Sequence, residues 1–171
     1  MTILLRPADP ERDFEQIAAM ITSQEDERTS EAELKEDYRK HRDQAIRMVA
    51  AEDEQGELMG FCWAYRNSVE PDRAAFYLVV KPERRRQGAG GILYEDLLQA
   101  CMAAQMKKLR LSVLDSSPEG REFAERRGFI EKRHHFAMAL DLQAFDFQPY
   151  KTIIDRLKGE GFQFTSMEAL G

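Results

Sequence analysis

The sequence predicts a mixed α/β (α+β) fold, and three observations predict it. Period-two apolar stretches interleave with helical ones along the chain, cap and turn residues fall at the joints between them, and 171 residues make about one domain. Residues 3–6 alternate as a first strand. Asp9 and Pro10 then supply an N-cap and a proline at the first helical position, ahead of Phe14, Ile17, Ala18 and Ile21 at helical spacing. Ser30 with Glu33 three places on is a capping box and opens a second helix, with Leu34 and Tyr38 on one side. Ala45 to Ala51 and Leu58 to Tyr65 suit two antiparallel strands, and "DEQGE" between them carries hairpin-turn chemistry. Ala74 to Val80 forms a fourth strand that stops at Pro82. A glycine-rich turn follows, and then a long helix with Leu93, Leu97, Cys101 and Ala104 on one face.

"KLRLSVLD" reads as a fifth strand, and Ser117-Pro118 caps a short helix that Gly128 ends. Phe129 to Leu142 is strand-like, with a kink or tight hairpin near Arg133 to His135. "PYKTIIDRLKGEG" gives a last helix before a strand-like "FQFTS". The expected organisation is a main domain over 1–142 and a C-terminal helix and strand over 143–171. That extension either packs on the same domain or exchanges with a second subunit, since an unpaired edge strand invites partners. A homodimer is one of the two readings.

Composition excludes several functions. With 43% apolar and 33% charged residues the chain is globular. No apolar run reaches the roughly 20 residues of a membrane span and no signal peptide is visible, which gives a cytoplasmic expectation with no membrane partner. A net charge of −6 argues against nucleic acid, whose binding needs a broad basic face. Cys62 and Cys101 lack CxxC spacing and read as buried reduced thiols, so neither a metal nor a disulfide is expected.

One stretch departs from the acidic background: "VVKPERRRQGAGGILYEDLL", Val79 to Leu98, sets three arginines before Gly88, Gly90 and Gly91. A helix amino terminus has unpaired N–H groups and a partial positive charge, so glycines that admit a phosphate make it an anion site. A phosphate loop of the Walker type needs a Gly-Lys-Ser/Thr that is absent here. A dinucleotide fingerprint needs a third glycine where Leu93 stands. The pattern that fits is Arg85-x-x-Gly88-x-Gly90 between a strand and a long amphipathic helix. This resembles the GNAT superfamily of acyl-CoA-dependent N-acyltransferases, and the order of elements resembles that family over most of the chain. "SSPEGREFAERRGF" with "ALDLQAFDFQPY" is also similar to the first half of tandem GNAT proteins.

The resemblance implies a twisted, largely antiparallel mixed sheet of six to seven strands flanked by about four helices. It implies that acetyl-CoA is the co-substrate. Its pyrophosphate would be held by the N–H groups of Arg86, Gln87, Gly88, Ala89, Gly90 and Gly91, with Arg85 and its neighbours adding charge. The pantetheine arm would pair with the backbone of Leu78, Val79 and Val80. The family's second signature, Asn-x-x-Ala and then a tyrosine before Gly-Phe, falls on Ser117, Gly120 and Ala124, so Ser117 is kept as a possible coenzyme contact and the phenol is missing. Histone-type members carry a glutamate base where Ala74 stands. A positioned acid or base is worth about 10²–10⁴ in rate, so its loss slows the reaction without forbidding it. Candidates for moving the proton, by location, are Tyr77 on the fourth strand, Glu70 and Asp72 just before it, and His134. The acidic Glu25, Asp26, Glu27, Glu31 and Glu33 fall where the family builds its acceptor pocket; they read either as a solvated face of charged loop and helix or as a field that attracts a cationic amine. The resulting expectation is an N-acetyltransferase that joins acetyl-CoA to a primary amine, a small molecule or a peptide, by direct attack in a ternary complex. The alternatives are a non-catalytic acyl-CoA-binding module and, behind it, an anion-binding interaction domain.

Overall fold

The structure, a computed structural model, describes residues 2–24, 28–136 and 138–170. Its contacts divide it into two units, Met1–Phe123 and Ala124–Gly171. In the first unit β1 (Leu4–Pro7), β2 (Ala45–Glu52), β3 (Leu58–Arg66), β4 (Arg73–Val80) and β5 (Lys108–Arg110) form one sheet in sequential order. The first four strands are antiparallel and β5 joins β4 in parallel, so the sheet is mixed.

Each sheet face has its own cover, because successive side chains on a strand point to opposite sides. On one face Ala50, Phe61, Trp63 and Val79 form a core with Phe14, Ile17, Met20 and Ile21 of α1 (Pro10–Thr22), and Leu34 and Tyr38 of α2 (Glu31–His41) pack against it. The expected caps are present. The Asp9 carboxylate accepts from the Glu11 N–H, and Ser30 and Glu33 close a reciprocal capping box. The opposite face meets α3 (Ala89–Ala103), which buries Ala89, Leu93, Leu97 and Cys101.

Two polar ties fix α3 on the sheet. Arg47 of β2 donates to both oxygens of Asp96 at 2.6 and 2.8 Å, and Arg66 of β3 donates to the Ala104 carbonyl at the helix end. Close approach is possible because Gly60 has no side chain: a Cβ there would stand 2.8 Å from the Val79 carbonyl and 3.0 Å from Leu93 Cδ1. The chain leaves α3 through Gln105 (φ 59°). It returns to the sheet where the Lys107 and Lys108 N–H groups donate to the Asp72 carbonyl.

Two strand expectations differ from the structure. β5 holds only Lys108–Arg110 of the expected 108–115, and among the described residues 129–142 and "FQFTS" carry no strand, which leaves five strands rather than six or seven. Alternation prepares a segment for a sheet, but a strand exists only where its backbone finds a partner. In the second unit Ile130, Phe136, Met138, Leu140 and Leu142 keep their alternation and are exposed. That unit also holds the expected last helix, α5 (Gln148–Gly159). α4 (Pro118–Glu125) is followed by Gly128, whose φ of 80° suits the helix end expected of it.

Candidate functional site

Beyond Ala75 the register between β4 and β5 stops. Leu78, Val79 and Val80 therefore lie past the last paired position on that side, although all three remain paired to β3. Which backbone groups face the gap follows from the ladder. The Lys81 N–H donates to the Met59 carbonyl one step beyond the Gly60–Val80 pair, so that pair is a non-hydrogen-bonded one. Alternation then turns the N–H and C=O of Val80 and Leu78 away from β3, toward the side β5 has left, and commits those of Val79 to Phe61. The Val80 carbonyl is met there by Gln24 Nε2 at 3.3 Å.

Directly after β4 the chain makes a short 3-10 turn, Pro82–Arg84, and enters α3 through two left-handed residues, Arg86 (φ 60°) and Gly88 (φ 97°). Gly88 is the N-cap of α3, with no side-chain cap bond and no acidic residue in the first turn. α1 and α2 differ on both points: each has a capping side chain and acidic residues in its first turn. The first amides of α3 are thus served by no capping side chain, at the positive end of a 15-residue helix. Gly90 is held close: a Cβ there would stand 3.3 Å from Phe123 of α4 and 3.6 Å from Val80.

The three arginines differ in their surroundings. Arg84 is turned to the buried Asp53 at 3.1 Å, where Asp53 also accepts from the Gln55 and Glu57 N–H groups and closes the β2–β3 turn. Arg85 donates to Glu119 on α4 at 2.6 Å and to Gln24. Arg86 is 77% exposed, with Glu122 at 3.9 Å.

Comparison with known proteins bears on this geometry. Residues 12–129, which include the loop, both of its flanking elements and α4, match the acetyltransferase (GNAT) family. The chain belongs to the GNAT family.

No curated protein sequence matches this GNAT chain significantly. Solved structures share its fold. Ard1 from Thermoplasma volcanium is 21% identical with a TM-score of 0.67, over 78% of this chain and 86% of that one. A GNAT-superfamily phosphinothricin acetyltransferase from Sinorhizobium meliloti, in complex with AcCoA, is 21% identical with a TM-score of 0.65, over 75% of each chain. Glucosamine-6-phosphate N-acetyltransferase from Arabidopsis thaliana is 15% identical with a TM-score of 0.62, over 82% of this chain and all of that one. At such identities the likeness is one of fold. Membership of the family makes this GNAT protein an acyltransferase that draws on acyl-CoA.

The structure brings Leu78, Val80 and the 85–91 loop together around the start of α3 and separates the proton-transfer candidates. Tyr77 sits opposite Trp63 and packs on the α1-side core. Glu70 pairs with Arg73 at 3.1 Å, and Asp72 offers its carbonyl to β5. Both stand at the far end of β4 from the loop, roughly 23 Å along an eight-residue strand. His134 belongs to the second unit, where it stacks on Phe136 and pairs with Glu131 at 3.5 Å. Ser117 caps α4: its Oγ accepts from the Gly120 N–H at 3.3 Å. A Cβ on Gly120 would come within 2.8 Å of that Oγ, so the cap favours glycine there. Ala74 and Ala124 are both buried.

Of the acidic stretch, Glu25, Asp26 and Glu27 lie outside the described residues. Glu31 pairs with Lys35, and Glu33 accepts from the Ser30 N–H, which lowers its pKa. Among the described residues no group of three or more His, Cys, Asp or Glu side chains is arranged to hold a metal ion. None of the helices is long and apolar enough to cross a membrane, also among the described residues.

One residue escaped the sequence reading. Tyr94 of α3 lies edge-on to Phe123 at 6.1 Å and tilted to Phe76 of β4 at 6.3 Å between ring centroids. Its signal is positional: Tyr94 is four residues after Gly90, so both lie on the stripe of α3 that meets Phe123.

Proposed function

We propose that this GNAT domain is an N-acetyltransferase that moves an acetyl group from acetyl-CoA to a primary amine by direct attack in a ternary complex. The observation that carries this reading is the α3 start without a side-chain cap, set against the end of β4 where β5 has turned away. The N–H groups of Arg86 to Gly91 would hold the diphosphate, in a cradle that Gly88 shapes and Gly90 leaves free of side-chain bulk. Leu78 and Val80 would pair with the pantetheine amides in place of the missing strand. The Val80 N–H faces the same gap and would meet the thioester oxygen as negative charge develops there. The amine nitrogen forms a bond to the acetyl carbon as the carbon–sulfur bond breaks. The thiolate leaves with the bonding pair and takes up a proton, and the new amide nitrogen gives one up.

Without a phenol at position 124, Tyr94 is our candidate donor to that thiolate, since α3 places it between β4 and α4. Tyr77 is the candidate on the acceptor side, through water. Coenzyme A leaves readily enough, with thiol pKa values near ~8.5, for proximity to carry much of the remaining barrier. The acceptor is a small-molecule or peptide amine, and the cellular setting the cytoplasm.

A non-catalytic acyl-CoA-binding module is the second reading, and the buried alanines at 74 and 124 favour it. Calorimetry with coenzyme A and acetyl-CoA, followed by thiol release over a panel of amines, separates the two. Binding with turnover supports the transferase, and binding without turnover on any amine supports the module. No binding of either coenzyme A or acetyl-CoA removes both.

A further inference from the structure

We infer that Arg85 is a positioning strut across the mouth of the coenzyme site rather than a ligand of the diphosphate. This rests on the coenzyme-loop reading above. Its guanidinium is already spoken for at both ends: Nη1 donates to Glu119 Oε2 at 2.6 Å, and Nη2 donates to Gln24 Oε1. Glu119 neutralises its charge, and the side chain is two-thirds buried. Gln24 carries the connection further, because its Nε2 donates to the Val80 carbonyl at 3.3 Å and to the Met20 carbonyl at 3.0 Å. One side chain in the loop thereby ties three elements that are far apart in sequence: the end of α1, the last residue of β4 and the first turn of α4.

The position gives the strut its purpose. Val80 at the end of β4 and Phe123 of α4 both approach Gly90, at 3.6 and 3.3 Å from a Cβ there, and among the described residues β4 pairs with β5 no further than Ala75. Gln24, Arg85 and Glu119 form a side-chain bridge near the loop end of the gap, where the loop amides must keep fixed spacing to act as a cradle. Arg86, next in the chain, is 77% exposed and holds Glu122 only at 3.9 Å, which makes it the more open cation of the two toward a phosphate.

Charge alone and a strut make opposite predictions for Glu119→Gln. Removing a carboxylate beside an anion site, and freeing an arginine for it, should tighten coenzyme A binding if charge is what matters. A strut that loses one anchor should instead weaken binding, by about tenfold for one charge-assisted contact. Glu119 is exposed, so the fold survives the change. Coenzyme A affinity is measured by calorimetry for the wild type, Glu119→Gln, Gln24→Ala, Arg85→Ala and Arg85→Ala/Glu119→Gln, with thermal unfolding as the folding control. The strut predicts weaker binding in all three single variants and no further loss when Glu119→Gln is added to Arg85→Ala. Tighter binding by Glu119→Gln, or an unchanged affinity in Gln24→Ala, overturns the strut while leaving the coenzyme loop standing. Absence of coenzyme A binding by the wild type overturns the loop reading and the strut together.

Discussion

Gly88 turns the chain into α3 at a φ of 97°, where a side chain is strained whatever space surrounds it. Gly88→Ala should therefore cost about 1–2 kcal/mol and displace the neighbouring amides, and calorimetry should show coenzyme A affinity falling more than the melting temperature does. Asp13 is a carboxylate whose protonation bears on stability. It is buried, which by itself would raise its pKa, but two hydrogen bonds from Arg6 at 2.7 Å and one from the Asp9 N–H outweigh burial and leave it lowered. A depressed carboxylate contributes stability above its unfolded pKa and loses it as the pH falls through the folded value. Wild-type melting temperature should fall below about pH 4, and Asp13→Asn, already destabilised by about 3 kcal/mol at neutral pH, should show a flatter acid limb.

At the scale of elements, the seat of α3 on the sheet is a tightly constrained contact. Gly60→Ala would drive a methyl onto the Val79 carbonyl, a backbone atom, and should lower stability by about 1–3 kcal/mol in chemical denaturation. The same interface holds Cys62 and Cys101, and burial raises the pKa of both thiols. Neither should be alkylated at pH 8 in the native protein, and both should react once it is unfolded. Ser117 and Gly120 act as a pair in starting α4. The sequence offered Ser117 both a capping and a coenzyme role, and its Oγ accepts the capping bond from the Gly120 N–H.

Across the whole molecule, the proposed function hangs on a strand that leaves early. Three paired residues hold β5 to β4, and the rest of β4 on that side is where the coenzyme arm is proposed to lie. If Tyr94 protonates the departing thiolate there, Tyr94→Phe should lower kcat by about 10²-fold with little change in coenzyme A affinity, and the alkaline limb of the pH–rate profile should disappear. An unchanged kcat would return the task to water.

The sequence by itself determined the elements whose signals are local: the caps at Asp9 and Ser30, the hairpin turn around Asp53, and the glycine bend before α3. Each of these is written within a few neighbouring residues. It also named the family, through a motif whose Gly88 is needed for its backbone conformation. Tertiary structure alone decided where β5 ends, that Arg84 turns to Asp53 and Arg85 to Gln24 and Glu119, and that Tyr94 stands beside Phe76 and Phe123. It decided as well that 129–142 keeps a strand's alternation without a strand's pairing. The physical reason is the same in each case. Caps and turns are satisfied by atoms a few residues away, whereas a ladder or an ion pair needs a partner that only the folded chain brings within reach.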